Sequence, residues 1–217
     1  TSGLYAWNVF PFGLCNAPST FERLMENVLA GLRWETLLVY LDDVIVFGST
    51  IAESVDRLEA VLVRFRNAGL KLKPSKCHLF RKEVNYLGHV VSEKGIHTDP
   101  AKIEAVRDWP TPRTPTQVRS FLGLASYYRR FIRGFADIAS PLHALTEKKA
   151  KKSFEWTEEC EEAFNKLKGS LISAPILGYP RAEGQFILDT DASNFALGGV
   201  LSQEQDGEER VIAYYII

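Results

Sequence analysis

Two adjacent carboxylates, Asp42 and Asp43, interrupt the apolar run LLVYLDDVIVFG. Hydrophobic residues on both sides place the pair at the turn of a hairpin whose strands belong to a core, with the carboxylates projecting from its edge. An Asp pair is an ordinary choice for a surface β-turn, because Asp side chains hydrogen-bond their own backbone and favour turns. A second reading follows from charge. Two neighbouring carboxylates repel, so keeping both ionised calls for solvent or a cation. Hard oxygen ligands suit Mg²⁺ or Mn²⁺, which fill their remaining positions with water and phosphate oxygens. That is the chemistry of two-metal phosphoryl transfer, in which one ion activates a hydroxyl and the other steadies a leaving pyrophosphate.

The elements that must position the pair can be read around it. STFERLMENVLAGL has Ser19 three residues before Glu22, the pattern of a capping box, and stops near Gly31. TIAESVDRLEAVLVRFRNAG repeats that device with Thr50 and Glu53, and Ile51, Val55, Leu58, Leu62 and Phe65 recur at helical steps up to Gly69. Asp99-Pro100 and Thr114-Pro115 each join a capping side chain to a first-turn proline, predicting helices over about 100–108 and 115–133. Another begins at Thr157, with acids in its first turn. ETLLVYL and VIVFG read as the strands of the Asp hairpin, and NYLGHVVSEKGI as a short hairpin around 92–95. QFILDTDAS, ALGGVLSQ and ERVIAYY read as three strands of a further sheet, and the proline-rich DWPTPRTPT and SAPILGYPRAEG as boundaries.

A chain of 217 residues with 46 % hydrophobic content can bury a sizeable core in one large domain or a few small ones. No apolar run nears the roughly 18 residues of a membrane span, and TSGLYAWNVF lacks the basic segment of a signal peptide, so an intracellular protein is expected, in a cytoplasmic particle or the nucleus. Cys15, Cys77 and Cys160 are odd in number and far apart, as reduced thiols would be. The net charge of −1 carries no global nucleic-acid signature, but its distribution is uneven. Lys71, Lys73, Lys76, Arg81 and Lys82 cluster without an acid, and residues 102–133 hold Lys102, Arg107, Arg113, Arg119, Arg129, Arg130 and Arg133 against Glu104 and Asp108. Such runs serve either as solvated faces or as phosphate-binding patches.

Taken together, PFGLCNAPSTF, YLDDVIVFG, LKLKPSKCHLF, YLGHVVSEKGI, FLGLASYYRRFI and LDTDASNFALGGVLSQ, in that order, resemble the reverse transcriptase and RNase H region of gypsy-type LTR retrotransposon Pol polyproteins. The resemblance implies an α+β chain with a partial polymerase palm at 1–97 (a sheet with packed helices) and a small helical thumb at 98–150. A connecting helix and linker at 151–182 and the first strands of an RNase H-like α/β domain at 183–217 would follow. It also implies an RNA-directed DNA polymerase with associated ribonuclease H. Asp42 and Asp43 would supply two of three palm carboxylates for Mg²⁺ or Mn²⁺, with Tyr40 near the primer end. The third comes from an earlier strand than any in this chain. The chain is therefore expected to be a fragment, inactive alone, that starts without Met and stops inside the strand VIAYYII.

By the same resemblance, Pro11, Phe12 and Gly13 would shape the nucleotide and template–primer pocket, and Leu87, Gly88 and His89 would form the primer grip. Arg119, Gly123 and Tyr127, at four-residue steps on one helical face, would lie along the duplex, with Arg129, Arg130 and Arg133 adding phosphate contacts. Asp191 would be the first RNase H metal carboxylate, a buried charge offset by a cation, with Asp189 facing away. The partners implied are an RNA template, a DNA primer or RNA–DNA hybrid, dNTPs and the remainder of Pol, with no membrane. Two other readings compete: a decayed or domesticated remnant that only binds nucleic acid, and an unrelated Mg²⁺-binding α/β protein.

Overall fold

The computed structural model describes residues 3–4, 6–9, 11, 13–147, 154–192 and 197–216. The chain divides into two compact units, Thr1–Arg81 and Lys82–Ile217.

The first unit contains helix α1 (Ala17–Val28), strands β1 (Leu37–Tyr40) and β2 (Asp43–Val46), and helix α2 (Ile51–Asn67). β1 and β2 pair antiparallel, Leu37 opposite Val46 and Tyr40 opposite Asp43. Met25 and Leu29, from α1 and its C-cap, meet Leu37 of β1 and Val61 and Phe65 of α2 in one small core. Leu29 and Leu37 are fully buried, each worth about 2 kcal/mol by area. α1 begins earlier than Ser19: Asn16 is its N-cap and Pro18 lies in its first turn. The expected Ser19–Glu22 box does not form, because the first-turn proline sets the start and the Ser19 hydroxyl donates to the Asn16 carbonyl instead. α2 is capped as expected, the Thr50 hydroxyl accepting from the Glu53 N–H. The Glu53 carboxylate accepts from the Ser49 N–H at 2.6 Å. Arg57 bridges Glu53 at 2.6 Å and the Phe47 carbonyl at 2.7 Å, tying the exit of β2 to α2. Gly48 allows this approach, since a Cβ there would lie 2.8 Å from the Ser54 hydroxyl.

The second unit opens with the meander β3 (Glu83–Tyr86), β4 (His89–Ser92) and β5 (Gly95–Thr98). The sequence predicts the β4–β5 hairpin around 92–95, and YLGHVV, which resembles a primer-grip hairpin, spans the β3–β4 turn. Helices α3 (Pro100–Arg107), α4 (Pro115–Tyr127), α5 (Phe135–Ala144) and α6 (Glu158–Ile172) follow. Asp99, Thr114 and Thr157 cap α3, α4 and α6 through side-chain bonds. α4 ends at Tyr127 rather than near 133: a 3-10 turn spans Arg129–Phe131, and Gly134, at φ 68°, opens α5. α6 buries Cys160, Ala163, Phe164, Leu167 and Leu171 against this bundle, and Phe121 meets Phe164 with ring centroids 4.6 Å apart. The three cysteines are free thiols.

Strands β6 (Phe186–Ala192), β7 (Leu197–Gln205) and β8 (Glu208–Ile216) form a sheet in sequence order, leaving β6 on an edge. The preceding linker is stitched on both sides. Leu177 exchanges backbone hydrogen bonds with Ile96 of β5 at 2.9 and 2.8 Å, and the Gly178 N–H donates to the Val211 carbonyl of β8 at 2.8 Å. The fully buried Gln203 amide donates to the Arg181 and Glu183 carbonyls and accepts from the Arg181 N–H, closing the linker onto β7. No helix among the described residues is long and apolar enough to cross a membrane.

Candidate functional site

Asp42 and Asp43 stand at the tip of the β1–β2 hairpin, and both are exposed. Neither carboxylate has a hydrogen-bond or ion-pair partner among the described residues. Leu41, first of the two turn residues, has φ 54°, while Asp42 is not in the positive-φ region. Those signs are those of a type II′ turn, whose first position favours Gly. A leucine held there costs about 1–2 kcal/mol, and such conformations persist where surrounding structure over-determines them. Here the over-determination comes from strands that end immediately on either side and carry Leu37, Val39, Val44 and Val46 into the core. The result is a pair of oxygen donors on a rigid turn, free of protein cations, a donor set that fits a hard divalent cation. Tyr40, 50 % exposed, pairs across the hairpin with Asp43. Among the described residues no group of three or more His, Cys, Asp or Glu side chains is placed to hold a metal.

Pro11 is half-buried and Gly13 exposed with φ 91°, whereas Phe12 lies outside the described residues.

In the second unit, the β3–β4 turn consists of Leu87 (φ 48°) and Gly88 (φ 69°), both positive as a type I′ turn requires. Three side chains close on it. The Tyr127 hydroxyl donates to the Leu87 carbonyl, the Tyr128 hydroxyl donates to the Gly88 carbonyl at 2.6 Å, and His89 Nδ1 lies 2.8 Å from the Leu87 oxygen. The carbonyl can only accept, which assigns the proton to Nδ1 and leaves Nε2 bare; Nε2 is buried without a partner among the described residues. The ring packs among Tyr127, Tyr128 and Phe131 at centroid distances of 5.2, 5.4 and 5.6 Å. Burial pushes the His89 pKa below its usual value, the Leu87 bond opposes this, and the Arg130 charge adds to the lowering. Arg119 donates to the Thr146 carbonyl at 3.2 Å. Gly123 is exposed with nothing within 4 Å of a would-be Cβ, so α4 presents Arg119, Gly123 and the half-exposed Tyr127 outward. Arg129, Arg130 and Arg133 are also exposed.

Asp191 sits in β6 opposite Gly198. Two expectations about it change. It is exposed rather than buried, as are its neighbours Asp189, Thr190 and Ala192. Asp189 does not face away: alternate strand residues share a face, and Asp189 and Asp191 line one cleft with Arg133, Asp137, Tyr214 and Tyr215. The sequence assigns Tyr128 to core packing, and it is buried in the core, but its hydrogen bond to the turn is not foreseen, nor is Asp137. Two consecutive tyrosines at the end of α4 were the available signal for the first, and Asp137 carried none, since its helix was not foreseen.

Residues 1–91 match the family described as reverse transcriptase (RNA-dependent DNA polymerase), and residues 156–216 match the RNase H-like domain found in reverse transcriptase. The Pol polyprotein of transposon 297 of Drosophila melanogaster is 45 % identical over 202 residues, covering 93 % of this chain. That of the gypsy transposon of the same organism is 39 % identical over 212 residues, again 93 % of the chain. The chain thus carries matches to a reverse transcriptase family and to an RNase H-like family, and it is similar to retrotransposon Pol polyproteins, that of gypsy among them. It spans 19 % and 20 % of the length of those two relatives. A solved foamy viral protease-reverse transcriptase in complex with RNA/DNA hybrid matches with TM-score 0.80 and 25 % identity, over 97 % of this chain and 28 % of that one. The Asp42–Asp43 hairpin falls inside the reverse transcriptase match, and α6 with β6–β8 falls inside the RNase H-like match.

Proposed function

We propose that the chain is a working part of an RNA-directed DNA polymerase with an associated ribonuclease H, taking an RNA template, a DNA primer and dNTPs together with the rest of a Pol polyprotein. The observation that carries this reading is the rigid β1–β2 hairpin presenting two unpartnered carboxylates. Asp42 and Asp43 would hold Mg²⁺ or Mn²⁺, which supplies activation of the primer 3′-hydroxyl and neutralises charge on the departing pyrophosphate. The protein's own contribution is placement. The hairpin fixes the donors, Tyr40 stands beside them, and Pro11, Phe12 and Gly13 border the nucleotide pocket. Leu87, Gly88 and His89 hold the primer end, while Arg119, Gly123, Tyr127 and Arg130 follow the duplex. Asp191 would serve the ribonuclease site, and Asp189, on the same face, is an equal candidate. The division we propose is palm 1–97, thumb 98–150, connection 151–182 and RNase H start 183–217, in a protein working inside the cell. The complex named for the foamy viral structure supports the choice of partner.

The test is extension of a DNA primer on an RNA template by a Pol polypeptide that includes this chain. Extension that needs dNTPs and Mg²⁺ or Mn²⁺ and stops with chelator is expected. Salt-dependent hybrid binding with no extension under either cation would instead establish a non-catalytic nucleic-acid-binding protein.

A further inference from the structure

We infer that Tyr128, acting with Tyr127 and His89, is a positioning residue that fixes the Leu87–Gly88 turn to the end of helix α4, so that the primer-holding turn and the duplex-tracking helix move as one piece. The inference rests on the reading that this turn holds the primer terminus.

The turn is poorly determined by its own sequence. A type I′ turn favours Asn or Asp before Gly, and Leu87 has neither side-chain acceptor. Its geometry is imposed from outside, by consecutive tyrosines on consecutive carbonyls. Tyr127 donates to Leu87 from the exposed side, and Tyr128, 1 % exposed, donates to Gly88 from the core. His89 adds a second donor to the Leu87 carbonyl. The fit is close. A Cβ on Gly88 would lie 3.1 Å from the Tyr127 hydroxyl oxygen and 3.3 Å from its ring, so a side chain there would crowd the tyrosine as well as sit at an unfavourable positive φ. Both turn carbonyls thus accept from protein donors, two at Leu87 and one at Gly88. Tyr128 also packs edge-on to Tyr127 and Phe131, which fixes its hydroxyl by packing before the hydrogen bond is made. Nothing in this arrangement calls for Tyr128 to touch nucleic acid.

The experiment compares the parent Pol polypeptide with Tyr128→Phe, Tyr127→Phe and the double variant, which remove hydroxyls and keep the rings. Two readouts are taken on a DNA-primer/RNA-template hybrid. One is the single-turnover incorporation rate per titrated active site. The other is the fluorescence of a 2-aminopurine at the primer 3′ terminus in the bound, unreacted complex. The expected result for the double variant is a per-site rate about tenfold lower at saturating dNTP, as for a reacting group held slightly out of place. In both the double variant and Tyr128→Phe the 2-aminopurine signal is altered, and the hybrid affinity of Tyr128→Phe, whose side chain is 1 % exposed, is within about twofold of the parent's. A lower fraction of active sites with an unchanged rate per site and unchanged fluorescence would mean that the tyrosines only support folding, and would overturn the inference. If the parent binds hybrid but does not extend it, the polymerase reading fails, and the fluorescence comparison alone decides the clasp. If the parent does not bind hybrid at all, both fail. Gly88→Ala, which crowds the Tyr127 hydroxyl without removing a donor, should shift the fluorescence in the same way.

Discussion

Replacing Gly95 by Ala should detach the linker from the β3–β5 sheet. A Cβ at residue 95 would lie 2.1 Å from the Leu177 carbonyl oxygen, a backbone atom that cannot move aside without breaking the bridge, and φ is 134° there. The bridge consists of two backbone hydrogen bonds between Ile96 and Leu177, at 2.9 and 2.8 Å. Each contributes about 1 kcal/mol net, and the forced backbone conformation costs about 1–3 kcal/mol. The sum, about 3–5 kcal/mol, corresponds to a fall in Tm of roughly 6–20 °C for a chain of this size. Hydrogen exchange locates the effect: the Ile96 and Leu177 amides should lose protection together, and Gly178, bonded to Val211, should follow. Gly69→Ala is the control, since its Cβ meets nothing within 4 Å and only its φ of 69° resists substitution, a cost of about 1–2 kcal/mol. Unchanged protection of Ile96 and Leu177 in the Gly95 variant would refute the reasoning.

Acid should weaken the second unit through His89. Burial lowers its pKa in the folded state, so as pH falls the unfolded chain takes up the proton first. The stabilisation is complete above the unfolded value of about 6.5 and is lost as pH drops through the folded one. Thermal melts between about pH 7 and pH 5 should therefore show a steeper loss for the parent than for His89→Asn; parallel slopes would remove His89 as the cause. Gln203→Leu, which unpairs the Arg181 N–H and the Arg181 and Glu183 carbonyls, should cost about 3 kcal/mol in urea unfolding. A cost below about 1 kcal/mol would mean that water replaces the amide.

The strands of the Asp hairpin were legible because apolar runs flank a polar turn, and the caps at Thr50, Asp99, Thr114 and Thr157 were legible because each pairs a short polar side chain with a helical start. α1 was misread at its first turn because Ser19 and Glu22 imitate a capping box while Pro18 sets the true beginning. The end of α4 was hidden by periodicity. Tyr128, Phe131, Ile132 and Phe135 keep helical spacing across the break and are all buried, so only Gly134 marked it. α5 was missed because Pro141, inside it, reads as a breaker. At the site, Asp42 and Asp43 announce themselves by type and adjacency. The clasp on Leu87 and Gly88 could not be seen, since it joins residues forty positions apart through main-chain acceptors that carry no sequence signal.

The central claim is that the hairpin carboxylates work as metal ligands for nucleotidyl transfer. The direct measurement is the single-nucleotide incorporation rate of Asp42→Asn and Asp43→Asn in a Pol polypeptide that includes this chain, on a DNA primer and RNA template in Mg²⁺ and in Mn²⁺. Each substitution removes one anionic oxygen from an exposed turn without touching the core. A rate lower by about a hundredfold or more is expected, with hybrid binding and Tm held close to the parent's. An unchanged rate in either cation would contradict it.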